Sequence, residues 1–383
     1  MKKSQLLELV AENGTPLFVI DHEEIRKEYG RFKKKLPHVQ AYYAVKANPE
    51  DTIIETLFKE GASFDVASFP EFMKVHRLIE HLGEKERFNF IYDKIIFSNT
   101  IKDNETLQKL KPYKPLVTYD NPDEVEKIKK HCDTAGLVLR VKVPDTGSQV
   151  EFGSKFGVAP SEAMELINFA FKRGLNVEGL SFHVGSQCQN FDNYIDALGI
   201  LHEVCGEGGK RGYNLRIIDI GGGFPAAYYQ QDSFDKLAGI INSETERLFG
   251  REKIAEKEIE LLAEPGRFLV ANSSVLVSEI IGRQRRDGKR FYHINDSVYH
   301  TFSGVVFDHQ KYHFKSFKPG KIEECAVVGR TCDSFDKISL SEMLPGNLKV
   351  GDLLYTENIG AYSIASSSSF NGFSSAKVVN VNF

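Results

Sequence analysis

The stretch AYYAVKANPE, residues 41 to 50, places a lysine directly after an apolar run that is typical of a buried strand. Removing the ammonium group of Lys46 from water costs free energy, so the residue either extends its charged end to the surface or serves as a functional amine. A desolvated lysine can form a Schiff base with a carbonyl compound. Taken alone, a surface position is the commoner case.

A run of three glycines is the second feature that could do chemistry. Gly221, Gly222 and Gly223 lie in IIDIGGGFP, directly after a strand-like run. Glycines at such a place let the backbone approach a ligand and leave N–H groups free to bind an anion. A plain tight turn is an equal alternative. Arg267, in AEPGRFL, could bind a phosphate, or could form a surface salt bridge of little energetic worth.

Glu264, His183 and Ser186 extend this set. An amine, a phosphate cradle and an acidic partner for a pyridine nitrogen are what pyridoxal phosphate requires of a protein. Glu264 suits the acidic role, although an ion pair with Arg267 would also explain it. In SFHVGSQ, His183 could stack on a flat ring and Ser186 could donate to phosphate, but a lone core histidine is more common. The sequence therefore predicts a pyridoxal phosphate site around Lys46.

Further along the chain, Cys332 and Asp333 are adjacent in GRTCDSFD. A thiol beside a carboxylate could combine an acid–base group with one that binds a cation, whereas a buried structural cysteine is the usual explanation. Asp308 in VVFDHQ and Tyr362 in ENIGAYS occupy turn-like stretches that also carry reactive groups.

The elements that must position these residues alternate between strands and helices as far as residue 265. Such alternation predicts parallel βαβ units, and eight of them match a (β/α)8 barrel, with a doubly wound sheet as the alternative. The polar residues fall at the carboxyl ends of the strands, where barrels place their active sites. The predicted strands are AYYAV, SFDV, KIIFS, LVTYD, LVLRVKV, GLSFHV, RIIDI and ELLAE, and their ends carry Lys46, Asp65, Asn99, Asp120, Arg140, His183, the glycine run and Glu264.

The remainder of the chain predicts a β domain. Segments such as FLVANSSVLVSEIIGRQRR, KRFYHIND, ECAVVGRTC, KVGDLLYTEN and SAKVVNVNF resemble strands joined by turns, and the early run PLFVI could add to their sheet. We therefore predict an α/β protein with a barrel over residues 22–265 and a β-sandwich or barrel domain formed by residues 1–21 and 266–383.

Composition excludes several other classes. A net charge of −4 without a long single-sign tail gives no nucleic-acid footprint, and the absence of a long apolar run argues against a membrane partner. Five scattered cysteines argue against a disulfide framework or a metal site, so no metal is expected. The start of the chain lacks the apolar core of a signal peptide, which favours a cytoplasmic location.

The motifs YYAVKANP, FDVAS, KFG, SFHVGSQ, DIGGGFP, AEPGRF, TCDSFD, GAYS and SFNGF occur in order over nearly the whole chain. Together they resemble the fold-type III pyridoxal-phosphate decarboxylases, which act on ornithine, lysine, arginine or diaminopimelate. Each motif is weak singly, but the ordered set is specific. The resemblance implies an alanine-racemase-like barrel with a β domain, pyridoxal 5'-phosphate as cofactor, and a homodimer with active sites shared across its interface.

The resemblance also implies roles for particular residues. Lys46 would be the Schiff-base lysine, Glu264 would keep the pyridine nitrogen protonated, and Cys332 from the partner subunit would protonate the substrate's Cα. Lys155 and Asp336 would pair across the dimer. The other implied contacts are His183 on the cofactor ring; Asp65 and Arg140 around the ring and the lysine; Ser186, Gly221, Gly222, Gly223, Arg267 and Tyr362 on the phosphate; and Asp308, Asp333 and Phe370 on the substrate.

The substrate is predicted from the cysteine motif. Diaminopimelate decarboxylases typically have CESxD, whereas this chain has CDSFD, as in ornithine and lysine decarboxylases. Asp308 and Asp333 would accept hydrogen bonds from a terminal ammonium group. We expect L-ornithine to be converted to putrescine, with L-lysine to cadaverine as a second reaction, because one methylene group changes binding by only about 1–3 kcal/mol. Two departures from relatives are Arg330, where proline is common, and Phe307, where tyrosine is frequent.

Three other functions compete with this prediction. A diaminopimelate or other diamino-acid decarboxylase would use the same barrel. A racemase would need an opposed tyrosine base, and the Cys-Asp pair argues against it. A non-catalytic decarboxylase-like binding protein would typically have lost cofactor or catalytic residues, whereas Lys46, Glu264, Arg267 and Cys332 are all present.

Overall fold

The computed structural model describes residues 1–228 and 233–383 of the chain, and these residues form two compact units. One unit is Lys27–Phe268; the other combines Met1–Arg26 with Leu269–Phe383. The divisions fall after residues 26 and 268, slightly later than the predicted ones after 21 and 265. Helix α1 (Lys3–Asn13) and strand β1 (Leu17–Asp21) belong to the second unit.

The first unit is a closed barrel of eight parallel strands in chain order, which confirms the predicted (β/α)8 barrel and excludes the doubly wound alternative. Closure occurs where the first barrel strand pairs with the last, with Ala41 opposite Ala263. All eight predicted strands are present. They are β2 (Val39–Ala44), β3 (Ser63–Val66), β4 (Ile95–Phe97), β5 (Leu116–Tyr119), β6 (Gly136–Arg140), β7 (Asn176–Ser181), β8 (Ile217–Asp219) and β9 (Glu260–Ala263).

Three of the barrel helices begin after residues whose side chains cap them. Ser68, Asp103 and Asn121 each accept a hydrogen bond from the backbone N–H three residues later, which satisfies a donor that has no partner within the helix. The helices are α2 (His22–Lys35), α3 (Asp51–Lys59), α4 (Phe69–Leu78), α5 (Glu84–Lys94), α6 (Asn104–Leu110), α7 (Pro122–His131), α8 (Pro160–Lys172), α9 (Asp192–Lys210), α10 (Phe234–Phe249) and α11 (Arg251–Ala255).

The barrel interior is filled by apolar side chains from alternate positions of the strands. Each such side chain contributes about 1.5–3 kcal/mol when it is removed from water. Because this packing holds the strands in register, the residues at the strand ends are placed on a rigid rim. The interior cluster comprises Tyr42, Ile96, Leu116, Val138, Ile217 and Leu262.

A fully buried ion pair fastens one part of this rim. Lys102 Nζ lies 2.9 Å from Glu124 Oε1 and donates to the carbonyl oxygens of Asn99 and Thr118, at 2.9 and 2.6 Å. The carbonyl oxygens belong to the ends of β4 and β5, and Glu124 lies in α7. Burial lowers the pKa of Lys102 to about 8. The pair therefore ties two strand ends to a helix in the barrel wall.

The second unit is an eight-stranded mixed sheet. Strand β1 pairs with β10 and with the last strand, which confirms the prediction that PLFVI joins this sheet. Its remaining elements are β10 (Ser274–Arg286), β11 (Lys289–Ile294), β12 (Lys315–Ser316), β13 (Ile322–Val328), β14 (Lys337–Pro345), β15 (Leu353–Glu357), β16 (Lys377–Val381) and the short helices α12 (Arg267–Val270), which begins at the division, and α13 (Gly304–Phe307).

The prediction of a strand across FLVANSSVLVSEIIGRQRR was wrong for its first part. Residues 267–273 form a helical turn and a 3-10 turn, and β10 begins at Ser274. The apolar run FLVA is buried on all sides, and periodicity cannot distinguish a buried helical turn from a buried strand. Likewise, β13 ends at Val328, so GRTC is a loop.

No helix in residues 1–228 and 233–383 combines the length and the apolar character needed to cross a membrane. The predicted cytoplasmic location stays a prediction.

Candidate active site

Lys46 lies in a 3-10 turn (Val45–Ala47) that directly follows β2. Its Nζ is 2.5 Å from Oδ2 of Asp65, a side chain on β3 that is fully buried. The other carboxylate oxygen accepts a hydrogen bond from Ser98 Oγ, at the end of β4. The amine is therefore fixed at the rim by a buried counter-charge. A freely solvated surface lysine would not be held in this way.

Two buried carboxyl groups face each other across β8 and β9. Asp219 Oδ1 accepts from Gly221 N at 2.9 Å, and Glu264 N donates to Gly221 O at 2.7 Å. Burial raises the pKa of Asp219 to about 6. Burial, with the charges of Asp219 and Asp65, raises the pKa of Glu264 well above its usual range. Without a further donor, the pair therefore binds a proton more readily than two solvated carboxylates would.

Asp219 was missed by the sequence analysis. The available signal was its position two residues before the glycine run in DIGGG, where a side chain at the end of a strand points toward the rim. Sequence alone does not show that Asp219 and Glu264 are neighbours, because they lie on different strands.

His183 follows β7 by two residues and is half-buried. Its Nδ1 accepts a hydrogen bond from Gly185 N at 3.1 Å, which leaves Nε2 to carry the proton of the neutral ring. Burial and the nearby charges of Arg140 and Lys46 lower the pKa of His183. A neutral imidazole therefore faces the rim. It also lies beside the glycine run, since a Cβ on Gly222 would be 2.8 Å from Nε2.

Close backbone contacts leave no room for a side chain in the glycine run. Gly221 has φ of +64°, and a Cβ there would lie 2.0 Å from Phe182 O. Gly223 has φ of +96°, and its Cβ would lie 2.4 Å from Gly185 O. A larger residue would displace the loop that follows β7 and carries His183. The run therefore does more than form a turn.

Arg267 and its partners form a cationic cradle. Its Nη2 donates to Ser186 Oγ at 2.9 Å and its Nη1 to Tyr228 Oη at 2.7 Å. Arg267 is only 4% exposed, so the interpretation as a surface salt bridge was wrong. Tyr228 was also missed by the sequence analysis, and its signal was the hydroxyl in FPAAYY, shortly after the glycines. A buried guanidinium with two hydroxyl groups is suited to bind a phosphate.

Three other predicted rim residues lie beside this constellation, and Arg140 interacts electrostatically with Glu264, Asp219 and Asp65. Arg140 lies at the end of β6 with its guanidinium carbon 4.8 Å from the ring centre of Phe156. Asp120 Oδ2 accepts from Gly157 N at 2.9 Å and so holds a loop. Asn99 Nδ2 donates to Ala67 O at 3.3 Å.

The other predicted site residues belong to the second unit. Cys332 is exposed, in the loop between β13 and β14. Asp333 accepts hydrogen bonds from Tyr299 Oη and from Phe335 N, and these bonds lower the pKa of Asp333. Tyr299 in turn stacks on Phe370, with ring centres 4.2 Å apart. Asp333 and Phe370 are thus joined through Tyr299, which the sequence analysis did not single out.

Three further residues of this unit complete the comparison with the predictions. Asp308 follows α13 and is 6% exposed. Tyr362 has a left-handed backbone with φ of +51°. Asp336 is buried, and its carboxylate accepts from Val298 N, Thr331 N and Thr331 Oγ1. The predicted ion pair between Lys155 and Asp336 across a dimer stays a prediction.

The residues of the barrel fit pyridoxal phosphate. Lys46 supplies an amine with a buried counter-charge, and Arg267 with its hydroxyl partners supplies a phosphate cradle. Glu264 Oε1 is buried and receives no hydrogen bond from the described residues, so a ring N–H would supply the missing donor. Such a barrel with these groups on its rim defines an enzyme that binds pyridoxal phosphate through a lysine.

Comparison with known proteins agrees with a pyridoxal phosphate site in the barrel. Residues 22–271 match the family "Pyridoxal-dependent decarboxylase, pyridoxal binding domain", which is more than half of the chain. The chain therefore belongs to the pyridoxal-dependent decarboxylases, and it is a pyridoxal-phosphate-dependent carboxy-lyase.

The similar proteins include decarboxylases and one protein that is named as an antizyme inhibitor. An ornithine decarboxylase of Schizosaccharomyces pombe is 34% identical, with 97% of this chain and 86% of that protein covered. Antizyme inhibitor 2 of Xenopus laevis is 32% identical, with 96% and 81% covered. The crystal structure of a lysine/ornithine decarboxylase from Vibrio vulnificus, complexed with cadaverine, has a TM-score of 0.89 and 33% identity, with 100% and 99% covered.

Proposed function

We propose that this protein decarboxylates a basic L-amino acid, with L-ornithine as the preferred substrate, putrescine as the product and polyamine biosynthesis as its role. L-lysine is the proposed second substrate. The observation that carries the proposal is the placement of the Lys46–Asp65 ion pair and the Glu264–Asp219 carboxyl pair at the same end of one barrel. The ornithine and lysine/ornithine decarboxylases among the similar proteins support the substrate class.

When bound, pyridoxal phosphate supplies an aldehyde that bonds to amines and a pyridine ring that takes up the electron pair left by departing CO2. Lys46 provides the resting amine, and Asp65 holds that amine in place. Glu264 accepts the hydrogen bond of the ring N–H. Arg267, Ser186 and Tyr228 bind the phosphate.

Two groups of the barrel rim influence this chemistry without forming bonds to the substrate. His183, kept neutral, presents a flat ring surface without adding a positive charge. Above about pH 6, Asp219 adds a second negative charge beside Glu264, which would favour a proton on the ring nitrogen. An enzyme that must hold a proton on a pyridine nitrogen benefits from both effects.

The proton that replaces the carboxylate is proposed to come from Cys332. The S–H bond breaks, its electrons remain on sulfur, and a C–H bond forms at the substrate's Cα. Asp333 and Asp308 accept hydrogen bonds from the distal ammonium group. The hydrogen bonds from Tyr299 and Phe335 N keep Asp333 ionised, as this role requires. By the family resemblance, Cys332 and Asp333 serve the site of the partner subunit in a homodimer.

CO2 release by the purified protein loaded with pyridoxal phosphate tests the proposal. L-ornithine, L-lysine, L-arginine and meso-diaminopimelate are compared side by side, with Lys46→Ala as the inactive control. We expect turnover of ornithine, slower turnover of lysine, and loss of both in the control. Turnover of diaminopimelate alone would show that the CDSFD motif was misinterpreted and would establish the diaminopimelate alternative.

A second candidate is a non-catalytic binding protein, which the similarity to antizyme inhibitor 2 favours. Catalysis is supported instead by the residues that a catalytic protein needs, each of which is present and held by hydrogen bonds or an ion pair: Lys46, Glu264, Arg267 and Cys332. Turnover separates the two: absorbance of the lysine-bound cofactor without turnover of any of the four amino acids would favour the binding protein or a decarboxylase of another amino acid.

A further inference from the structure

The loop that carries Cys332 is closed at its base by Asp336. Gly329 N donates to Asp336 O at 3.1 Å, and Thr331 donates from N and Oγ1 to Asp336 Oδ2 at 3.0 and 2.7 Å. These bonds fix the two ends of the loop, which runs from residue 329 to 336. They leave Cys332 at an exposed position, where its thiol needs a separate support to keep one orientation.

Asn371 provides a contact to that thiol. Its Oδ1 accepts from Cys332 N at 3.3 Å and lies 3.5 Å from Cys332 Sγ, within hydrogen-bond distance for sulfur. Asn371 lies in a tight turn with φ of +56°, a conformation that asparagine adopts more readily than most residues. An acceptor at this place receives the S–H hydrogen bond and so directs it.

Arg330 connects the same two segments a second time. Its guanidinium carbon is 4.4 Å from the ring centre of Phe373, and Nη2 donates to Ser374 O at 2.6 Å. Its own backbone N–H donates to Asp296 O at 3.1 Å, which ties the loop to the turn after β11. Arg330 precedes Cys332 by two residues, and Phe373 follows Asn371 by two, so the two contacts act on the same pair of segments.

We propose that Asn371 and Arg330 are positioning residues for the thiol of Cys332. Asn371 accepts the S–H hydrogen bond and sets its direction, while Arg330 holds the segment 370–374 against the cysteine loop and so keeps Asn371 within reach. This inference rests on the proposed function, in which that proton is delivered to the substrate's Cα. It also gives a role to Arg330, a departure from the proline of relatives.

The first test is a titration of Cys332 in the full-length protein without cofactor. Alkylation by iodoacetamide is followed by mass spectrometry of the peptide that contains Cys332, and Cys332→Ser identifies that peptide. In Asn371→Gly, which tolerates the left-handed backbone, the pH of half-maximal alkylation should fall by about 0.5 to 1 unit because the acceptor of the S–H bond is lost. In Asn371→Asp it should rise, because a carboxylate opposes the thiolate.

The role of Arg330 is tested by a double-mutant cycle, since removing its charge alone would also affect the thiol. Asn371→Gly is measured in the native sequence and in Arg330→Met. If Arg330 acts through Asn371, the shift caused by Asn371→Gly should fall to less than half in the Arg330→Met background. Arg330→Lys, which retains a cation for Phe373, should restore most of the shift that Asn371→Gly causes. Arg290→Met, on β11, is the matched control and should leave the shift unchanged.

The second test is the amount of amine formed per CO2 released by the loaded enzyme. The native protein should give a ratio of one, and Asn371→Gly and Arg330→Met should give less because the proton no longer reaches Cα reliably. An unshifted titration in Asn371→Gly, or equal shifts in both backgrounds, would overturn the positioning role. Failure of the native protein to release CO2 would overturn the proposed function, while the titration would still decide the inference.

Discussion

At the scale of single residues, the barrel rim concentrates ionisable groups whose environments differ. Asp65 is buried but neutralised by Lys46, 2.5 Å away. Asp219 and Glu264 are buried beside each other, and each has one carboxylate oxygen that receives no hydrogen bond from the described residues. Their pKa values are raised. Differences of this kind separate groups that stay charged from groups that hold a proton, which is how one site handles both charge and proton transfer.

We predict that Asp219→Asn stabilises the cofactor-free protein at high pH. The unfolded Asp219 titrates near 3.8 and the folded one near 6, so folding favours its protonated form. That preference destabilises the folded state increasingly as pH rises from about 4 to 6, and by at most about 3 kcal/mol above pH 6. Asparagine can still accept from Gly221 N and carries no charge at any pH.

The measurement is urea unfolding of cofactor-free Asp219→Asn and native protein at pH 5 and pH 8. The free energy of unfolding of the variant should exceed that of the native protein more at pH 8 than at pH 5. The same substitution should weaken decarboxylation, because the second negative charge behind Glu264 is lost. An equal difference at both pH values would show that Asp219 is ionised in the folded protein.

At the scale of elements, loops at the strand ends are held by polar contacts rather than by apolar packing. The Lys102–Glu124 pair fastens the ends of β4 and β5 to α7, and it is completely removed from water. A buried pair of this kind adds little net stability compared with apolar residues, but the loss of one partner leaves an unpaired charge. The pair thus specifies one arrangement of this part of the rim.

We expect Glu124→Ala to destabilise the protein by about 3–5 kcal/mol, because Lys102 would be left buried without its counter-charge. The double variant Glu124→Leu/Lys102→Met should cost clearly less, because neither charge remains. Glu126→Ala is the matched control, since Glu126 pairs with Arg173 at the surface of the same helix. Chemical denaturation measures all three, and an effect of Glu124→Ala as small as that of Glu126→Ala would contradict the prediction.

At the scale of the whole molecule, the predicted site residues are divided between two units. Lys46, Glu264 and Arg267 belong to the barrel, and Cys332, Asp333 and Tyr362 belong to the β unit. The family resemblance implies that a site is completed by the partner subunit of a homodimer. The Lys46 and Cys332 functions would then be separable on different chains.

This arrangement predicts recovery of activity when two inactive variants are mixed. Lys46→Ala and Cys332→Ala, each nearly unable to form amine alone, should regain about a quarter of the native rate of amine formation in an equal mixture once subunits exchange. Half of the dimers would then be mixed, each with one intact site of two. Activity that stays at the level of the separate variants, although different affinity tags on the two variants show that mixed dimers have formed, would place Cys332 in the site of its own chain.

The sequence by itself determined the barrel and its rim. Apolar runs alternating with amphipathic segments predict βαβ units, because a strand buried on both faces needs helices to cover it, and Lys46, His183 and Glu264 follow from their positions after those runs. Only the tertiary structure showed the pairing of Asp219 with Glu264, the two hydroxyl groups to which Arg267 donates, and the contacts of Cys332 with Asn371. These contacts join residues far apart in the chain, and side-chain periodicity carries information about local faces but none about which distant side chains meet. The helical turn after Arg267 escaped prediction for a related reason, since a run that is buried on every side has no period to reveal its conformation.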